Sequence, residues 1–144
     1  MNGKLLFWID ETLYASPLQS LREAAPRIPA FTFLPFSPTW LLGVFPLRTD
    51  LVTLIDPRPF LESNAADQIT YDTPPALQNK QALIIGDSGW PMAILVDRIG
   101  DIVDDDGERH DSQALVSETD GVWCDLNALF IDIVAELEAW ARHV

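Results

Sequence analysis

The chain is poor in the groups that most reaction chemistry needs. A single cysteine, Cys124, and two histidines, His110 and His143, stand among its 144 residues. One cysteine cannot close an internal disulfide, which fits a reducing cytoplasm. With two separated histidines it offers no spacing that fills a tetrahedral zinc shell. The seven glycines are scattered and none precedes Lys-Ser or Lys-Thr, so no phosphate-cradling loop is written here. Long apolar runs are missing too. The candidate span, Leu41 to Leu47, covers seven residues, whereas a membrane helix needs about 20. The start, Met1 to Lys4, leads into a short apolar stretch cut by Asp10 and Glu11, too brief for a signal-peptide core. These shortages predict no cofactor, no metal and no direct membrane insertion.

Positive charge is equally scarce. Nine Lys and Arg face 22 Asp and Glu, a formal net charge of −13. Residues 97–144 hold 13 of the acids beside only Arg98, Arg109 and Arg142, a local net of −10. Such a surface repels a phosphate backbone, so nucleic acid and anionic membrane are excluded while a basic protein partner stays open. Apolar residues at 48% and aromatics at 10% argue for a folded core rather than disorder. The length suits one domain, 1–144, or two small lobes sharing a core.

What the chain does have is short β-rich runs between turn signals. Leu5 to Ile9, the break Asp10-Glu11 and Thr12 to Ala15 read as a hairpin. Leu18 and Leu21, after Pro17, mark a brief strand or turn. Pro26, Pro29, Pro35 and Pro38 forbid a long helix between Ala24 and Pro38, because each removes an amide donor and fixes φ. Trp40 to Leu47, a turn at Arg48-Thr49-Asp50 and Leu51 to Ile55 form the next pair, stopped by Pro57 and Pro59. Glu62 to Lys80, with Pro74-Pro75 inside, is the most linker-like stretch. Gln81 to Ile85 and Pro91 to Val96 flank Gly86-Asp87-Ser88-Gly89 as a second hairpin. Asp104 to Ser112 is a charged loop, and Ala114 to Val116 with Val122 to Cys124 a third hairpin. Only the end is helical, over about 126–142: Leu126, Leu129, Phe130, Ile133, Leu137, Trp140 and Ala141 recur at helical spacing. Asp125 stands where it can cap the first turn. Many short strands followed by one helix predict an all-β protein of small barrels.

Two fragments invite chemistry. Gly86 to Pro91 is similar to the nucleophile loop of trypsin-like proteases, but a serine there needs a base. Both histidines lie downstream of Ser88, the reverse of the protease order, and turn composition alone explains the match. Asp104-Asp105-Asp106-Gly107 hints at a calcium loop, yet that alignment puts Ile102 and Gln113 where ligands belong. A solvated acidic loop is the better reading. Trp8, Trp40 and Trp123 lining a ligand cavity is a further alternative, though buried aromatics usually pack.

Five ordered segments resemble the CheW family of chemotaxis coupling proteins: Tyr14 to Glu23, Pro35 to Arg48, Leu51 to Leu61, Pro91 to Ile99 and Asp125 to Leu129. The resemblance runs over about residues 4–142. It implies one CheW-like domain of two five-stranded SH3-like β-barrel lobes on a shared core, with a linker-like stretch near 62–80 and a C-terminal helix. It also implies a cytoplasmic, non-catalytic bacterial adaptor. Its partners would be the regulatory domain of a chemotaxis-type histidine kinase and the cytoplasmic tip of a chemoreceptor. Glu23 and Arg48 match a charge pair near the family's partner-binding region. An arginine fork suits a carboxylate in bidentate fashion. Leu21, Leu41, Leu42 and Val44 are the candidate walls of an apolar groove for a receptor helix. Three features depart from the pattern. Thr49 replaces a turn glycine, implying altered turn geometry; Thr53 stands where proline is common; and the connection from Ile102 to Ala114 is short. A divergent member serving a pilus or twitching system, with one partner only, is the alternative. A small hydrolase using Ser88 ranks last.

Overall fold

The computed structural model describes residues 3–34, 37–61, 77, 79–86, 90–104 and 121–142. Strand β1 (Gly3–Ile9) sends Leu5, Phe7 and Ile9 into the core, while Lys4, Leu6 and Trp8 stay half-buried. That period of two marks a strand with one covered face. The break at Asp10-Glu11 is a two-residue turn into β2 (Thr12–Pro17), with Ile9 opposite Thr12. Asp10 takes φ 56°, a conformation that aspartate tolerates better than most residues.

After a 3₁₀ turn at Leu18–Ser20 come β3 (Glu23–Ala25), β4 (Leu41–Leu47), β5 (Asp50–Ile55), β6 (Gln81–Ile85), β7 (Met92–Val96), β8 (Arg98–Asp104), β9 (Val122–Trp123) and helix α1 (Leu126–Ala141). They form a four-stranded sheet, β8-β1-β2-β9, and a five-stranded sheet, β3-β6-β7-β5-β4. The β2–β9 and β5–β7 pairings are parallel and the others antiparallel. The molecule is thus mainly β with one C-terminal helix. The expectation of two five-stranded barrels needs correction: among the described residues one sheet has four strands, and neither sheet closes on itself by strand pairing. The first half of the expected third hairpin, Ala114 to Val116, lies outside the described residues, and its second half supplies β9.

The two sheets are nested rather than consecutive. Strands β3 to β7 follow one another in the chain and make one sheet, whereas β1, β2, β8 and β9 make the other. The linker-like stretch near 62–80, most of it outside the described residues, therefore joins β5 to β6 of the same sheet. The chain returns to the four-stranded sheet across one residue. The strand read from the residues over Pro91 to Val96 is β7, and the family-like segment Pro91 to Ile99 runs past it, through Asp97, into β8. The Asp97 amide donates to the Trp8 carbonyl at 2.8 Å, and its carboxylate accepts from Lys80 Nζ and the Asp10 amide. Those hooks fix the turn at the charged residue that ends the apolar run Met92 to Val96.

Both faces of the five-stranded sheet are buried. One face gives Leu83, Ile85, Met92, Ile94 and Val96 to a core shared with Leu5, Phe7, Ile9, Tyr14 and the Leu126, Leu129 and Ile133 stripe of α1. The other gives Ala82, Ile84, Ala93 and Leu95 to a second core with Leu42, Phe45, Val52 and Leu54. A coil containing Ile28 and Phe31 packs against that second core, where Thr32 bridges Val44 in antiparallel fashion. Gly43 makes this approach possible, since a Cβ there would meet the Thr32 carbonyl oxygen at 2.5 Å. Helix α1 starts as its sequence implies: Asp125 accepts from the Asn127 amide at 2.9 Å and from Ser20 Oγ at 3.0 Å. The Leu126 amide, a further orphan donor of the first turn, donates to Ser16 Oγ at 3.0 Å.

Candidate partner-binding site

Glu23 sits on the short edge strand β3, in register with Ile84 of β6. The preceding Arg22 amide donates to the Ile84 carbonyl at 2.8 Å. Arg48 occupies the two-residue turn between Leu47 and Asp50 of the β4–β5 hairpin. Strands β3 and β4 are the two outer edges of the five-stranded sheet, so a contact between them shows that the sheet curls until its edges approach. That contact is a two-pronged ion pair. Arg48 Nη1 donates to Glu23 Oε1 at 2.7 Å and Nη2 to Oε2 at 3.0 Å. Beside it Arg22 and Asp50 lie 3.9 Å apart, placing charges of both signs on each side of the seam.

The Arg48 hydrogen bonds hold the Glu23 carboxyl below its usual range, against a smaller opposing effect of burial, and the charges of Arg48 and Arg22 add to the lowering. Glu23 in turn raises the Arg48 guanidinium, by hydrogen bond first and by charge second. The side chains remain 67% and 34% exposed, so the pair contributes little to stability and presents itself to solvent. Arg48 also adopts φ 57°. The left-handed position of this turn therefore falls on Arg48 itself and not on Thr49, the residue at which the altered geometry was expected. Non-glycine residues in that region mark sites held there by their surroundings, often functional ones.

The four apolar candidates do not line one groove. Leu42 is 3% exposed and belongs to the second core. A register shift between Leu41 and Gly43 accompanies this, and Leu41 packs against the first core together with the half-buried Leu21. Val44 is half-buried on β4, between Thr53 and the Thr32 bridge.

Sequence reading missed a second charged cluster where the sheets meet. Asp56, 1% exposed, accepts from the Arg58 amide at 3.0 Å and from Arg58 Nη2 at 2.7 Å. Asp10 stands 3.7 Å from Arg58, and Asp97 pairs with Lys80 across the same cleft of about 290 Å³. The signal for half of it was present, because aspartate two residues before an arginine at a strand end can form an Asx turn. The Lys80–Asp97 partnership leaves no local trace. Every charge in the cluster meets an opposite one, which makes it a tie between sheets rather than an acid–base site.

Ser88, Asp87, Gly89, both histidines, Asp105, Asp106 and Gly107 lie outside the described residues. Among the described residues no three His, Cys, Asp or Glu side chains gather as a metal site, and no helix is long and apolar enough to cross a membrane. Burial pushes the Cys124 thiol up to about 11, with the Asp125 charge assisting. The three tryptophans do not converge. Trp8 lies under Arg98 at 5.0 Å, Trp40 meets Phe60 edge-on at 4.8 Å, and Trp123 is exposed.

Two sheets about a shared core, one nested within the other in chain order, with one C-terminal helix, define a mainly β protein. The chain belongs to the CheW-like domain family, whose model matches residues 4–123. Its fold is similar to that of the scaffolding protein TtCheW from Thermoanaerobacter tengcongensis, with a TM-score of 0.57 and 17% sequence identity. That match covers 72% of this chain and 64% of the other, so the chain spans less than two thirds of its relative's length. Among curated proteins none matches.

Proposed function

We propose that this chain is a non-catalytic cytoplasmic adaptor that couples a chemoreceptor to a chemotaxis-type histidine kinase. The observation that carries the reading is the exposed, two-pronged Glu23–Arg48 pair at the seam of the five-stranded sheet, within a CheW-like domain. An exposed pair of small stabilising worth, on an arginine in a left-handed turn, fits recognition better than fold maintenance. The kinase regulatory domain and the receptor tip are the two expected partners, with Glu23 and Arg48 open at the seam, Leu21, Leu41 and Val44 half-buried, and Leu42 in the core.

The test is titration of the protein against each partner separately, by calorimetry. Arg48→Glu puts two carboxylates face to face, and affinity for at least one partner falls tenfold or more while the thermal midpoint moves little. Unchanged affinity for both would remove the pair from the binding surface. The alternative is a one-partner member of a pilus or twitching system, and heat from titration against only one partner would select it.

A further inference from the structure

A second surface lies at the other end of β5 from Arg48, and the role above does not use it. Between α1, β9 and the 3₁₀ turn Arg58–Phe60 runs a groove of about 650 Å³, with Tyr14, Phe60, Leu61, Trp123, Ala128 and Asp132 among its walls. Trp123 is 59% exposed and its neighbour Val122 50%. Monomers seldom leave a tryptophan so open beside a concave apolar wall, and tryptophan is the commonest anchor of protein interfaces. The exposed Ala128 keeps the helical wall low, so a second helix can approach α1 closely.

Among the described residues the charge around the groove has one sign: no lysine or arginine lines it, and Asp125 and Asp132 stand on the helical wall. Asp125 is occupied as the helix cap. Asp132 is exposed and has no ion pair among the described residues. Helix α1 carries Asp132, Glu136 and Glu138 and no lysine or arginine between Leu126 and Ala141. An apolar floor with an acidic wall complements a stripe of leucines flanked by lysine or arginine.

We propose that this groove docks a cationic amphipathic helix of a partner protein, with its apolar stripe on Trp123 and Leu61 and its basic flank on Asp132. The surface is distinct from the Glu23–Arg48 seam, and either proposal can fail without the other.

The probe is a fluorescein-labelled, amidated peptide of about 18 residues with leucine and lysine at helical spacing, followed by anisotropy at physiological salt. Two companions carry glutamate for lysine or a central proline. The lysine peptide is expected to bind at least tenfold more tightly than either companion. Trp123→Ala and Asp132→Lys should each weaken it fivefold or more. Glu138→Lys makes the same charge change outside the groove lining and is expected to have less than a twofold effect, as is Arg48→Glu. Equal losses from Asp132→Lys and Glu138→Lys would reduce the binding to attraction by net charge and overturn the proposal. Indifference to Trp123→Ala in a variant that melts like the parent would overturn it too. Undiminished binding of the proline peptide would replace the helix with an extended strand on the β9 edge.

Discussion

The two faces of the five-stranded sheet bury apolar side chains by different means. Toward α1 the sheet offers Leu83, Ile85, Met92 and Ile94 to regular elements, where Phe7 and Tyr14 stack with centroids 5.8 Å apart. On the other side it offers Ala82 and Ala93 beside Ile84 and Leu95, and the sheet curls around its own Leu42, Phe45, Val52 and Leu54. The concave side of a curl has less room than the convex side, and alanines at the central strands supply it. The cover there is coil, fixed by the Thr32–Val44 bridge, and the seam is an ion pair in solvent. Both faces are packed, one under regular elements and the other under coil, and it is the second that carries the candidate binding surface.

That contrast can be broken by substitution. Phe7→Ala removes a fully buried ring from the first core and should cost about 3–5 kcal/mol, read as a lower denaturant midpoint for the whole molecule. Two separate transitions would mean that the faces unfold independently. Gly43→Ala strikes the other side, since its methyl group must displace the Thr32 carbonyl or the Phe31 ring. The expected cost is roughly 1–3 kcal/mol, with amide exchange accelerated at Thr32 and Val44 but not along β1. Faster exchange at β1 as well would make the coil cover part of the main core.

The smallest effect sharpens the seam. Glu23 should titrate below the ordinary carboxylate value of about 4.3, and Arg48→Gln should return it there by carboxyl-resolved NMR. Because the folded carboxyl is the stronger acid, its contribution to stability is present above the unfolded value and lost as pH falls through the lowered one. A Glu23 titration that Arg48→Gln leaves in place would assign the shift to another group.

Much of this was readable because it is local. The turns at Asp10-Glu11 and Arg48-Thr49, the hairpin partners β6 and β7 and the Asp125-capped helix each rest on neighbours within a few residues. The reading went wrong where distant side chains decide. Asp97 marks the end of the strand at Val96, but nothing there announces a change of sheet, since its contact with Lys80 reaches 17 positions back. Leu41 and Leu42 look alike in sequence, yet they belong to different cores. Glu23 and Arg48 came from the family resemblance, not from any pattern within this chain.

The nested order of strands has a consequence for how such a protein can be taken apart. The five-stranded sheet enters after Arg22 and leaves at Asp97, and six residues of the first core, Ile55, Leu83, Ile85, Met92, Ile94 and Val96, travel with it. Excising it would strip the outer sheet of half its wall, and expressing it alone would bare that same surface to water. Halves of this chain are therefore not exchangeable modules, and new specificity has to be acquired residue by residue on the surface rather than by trading lobes.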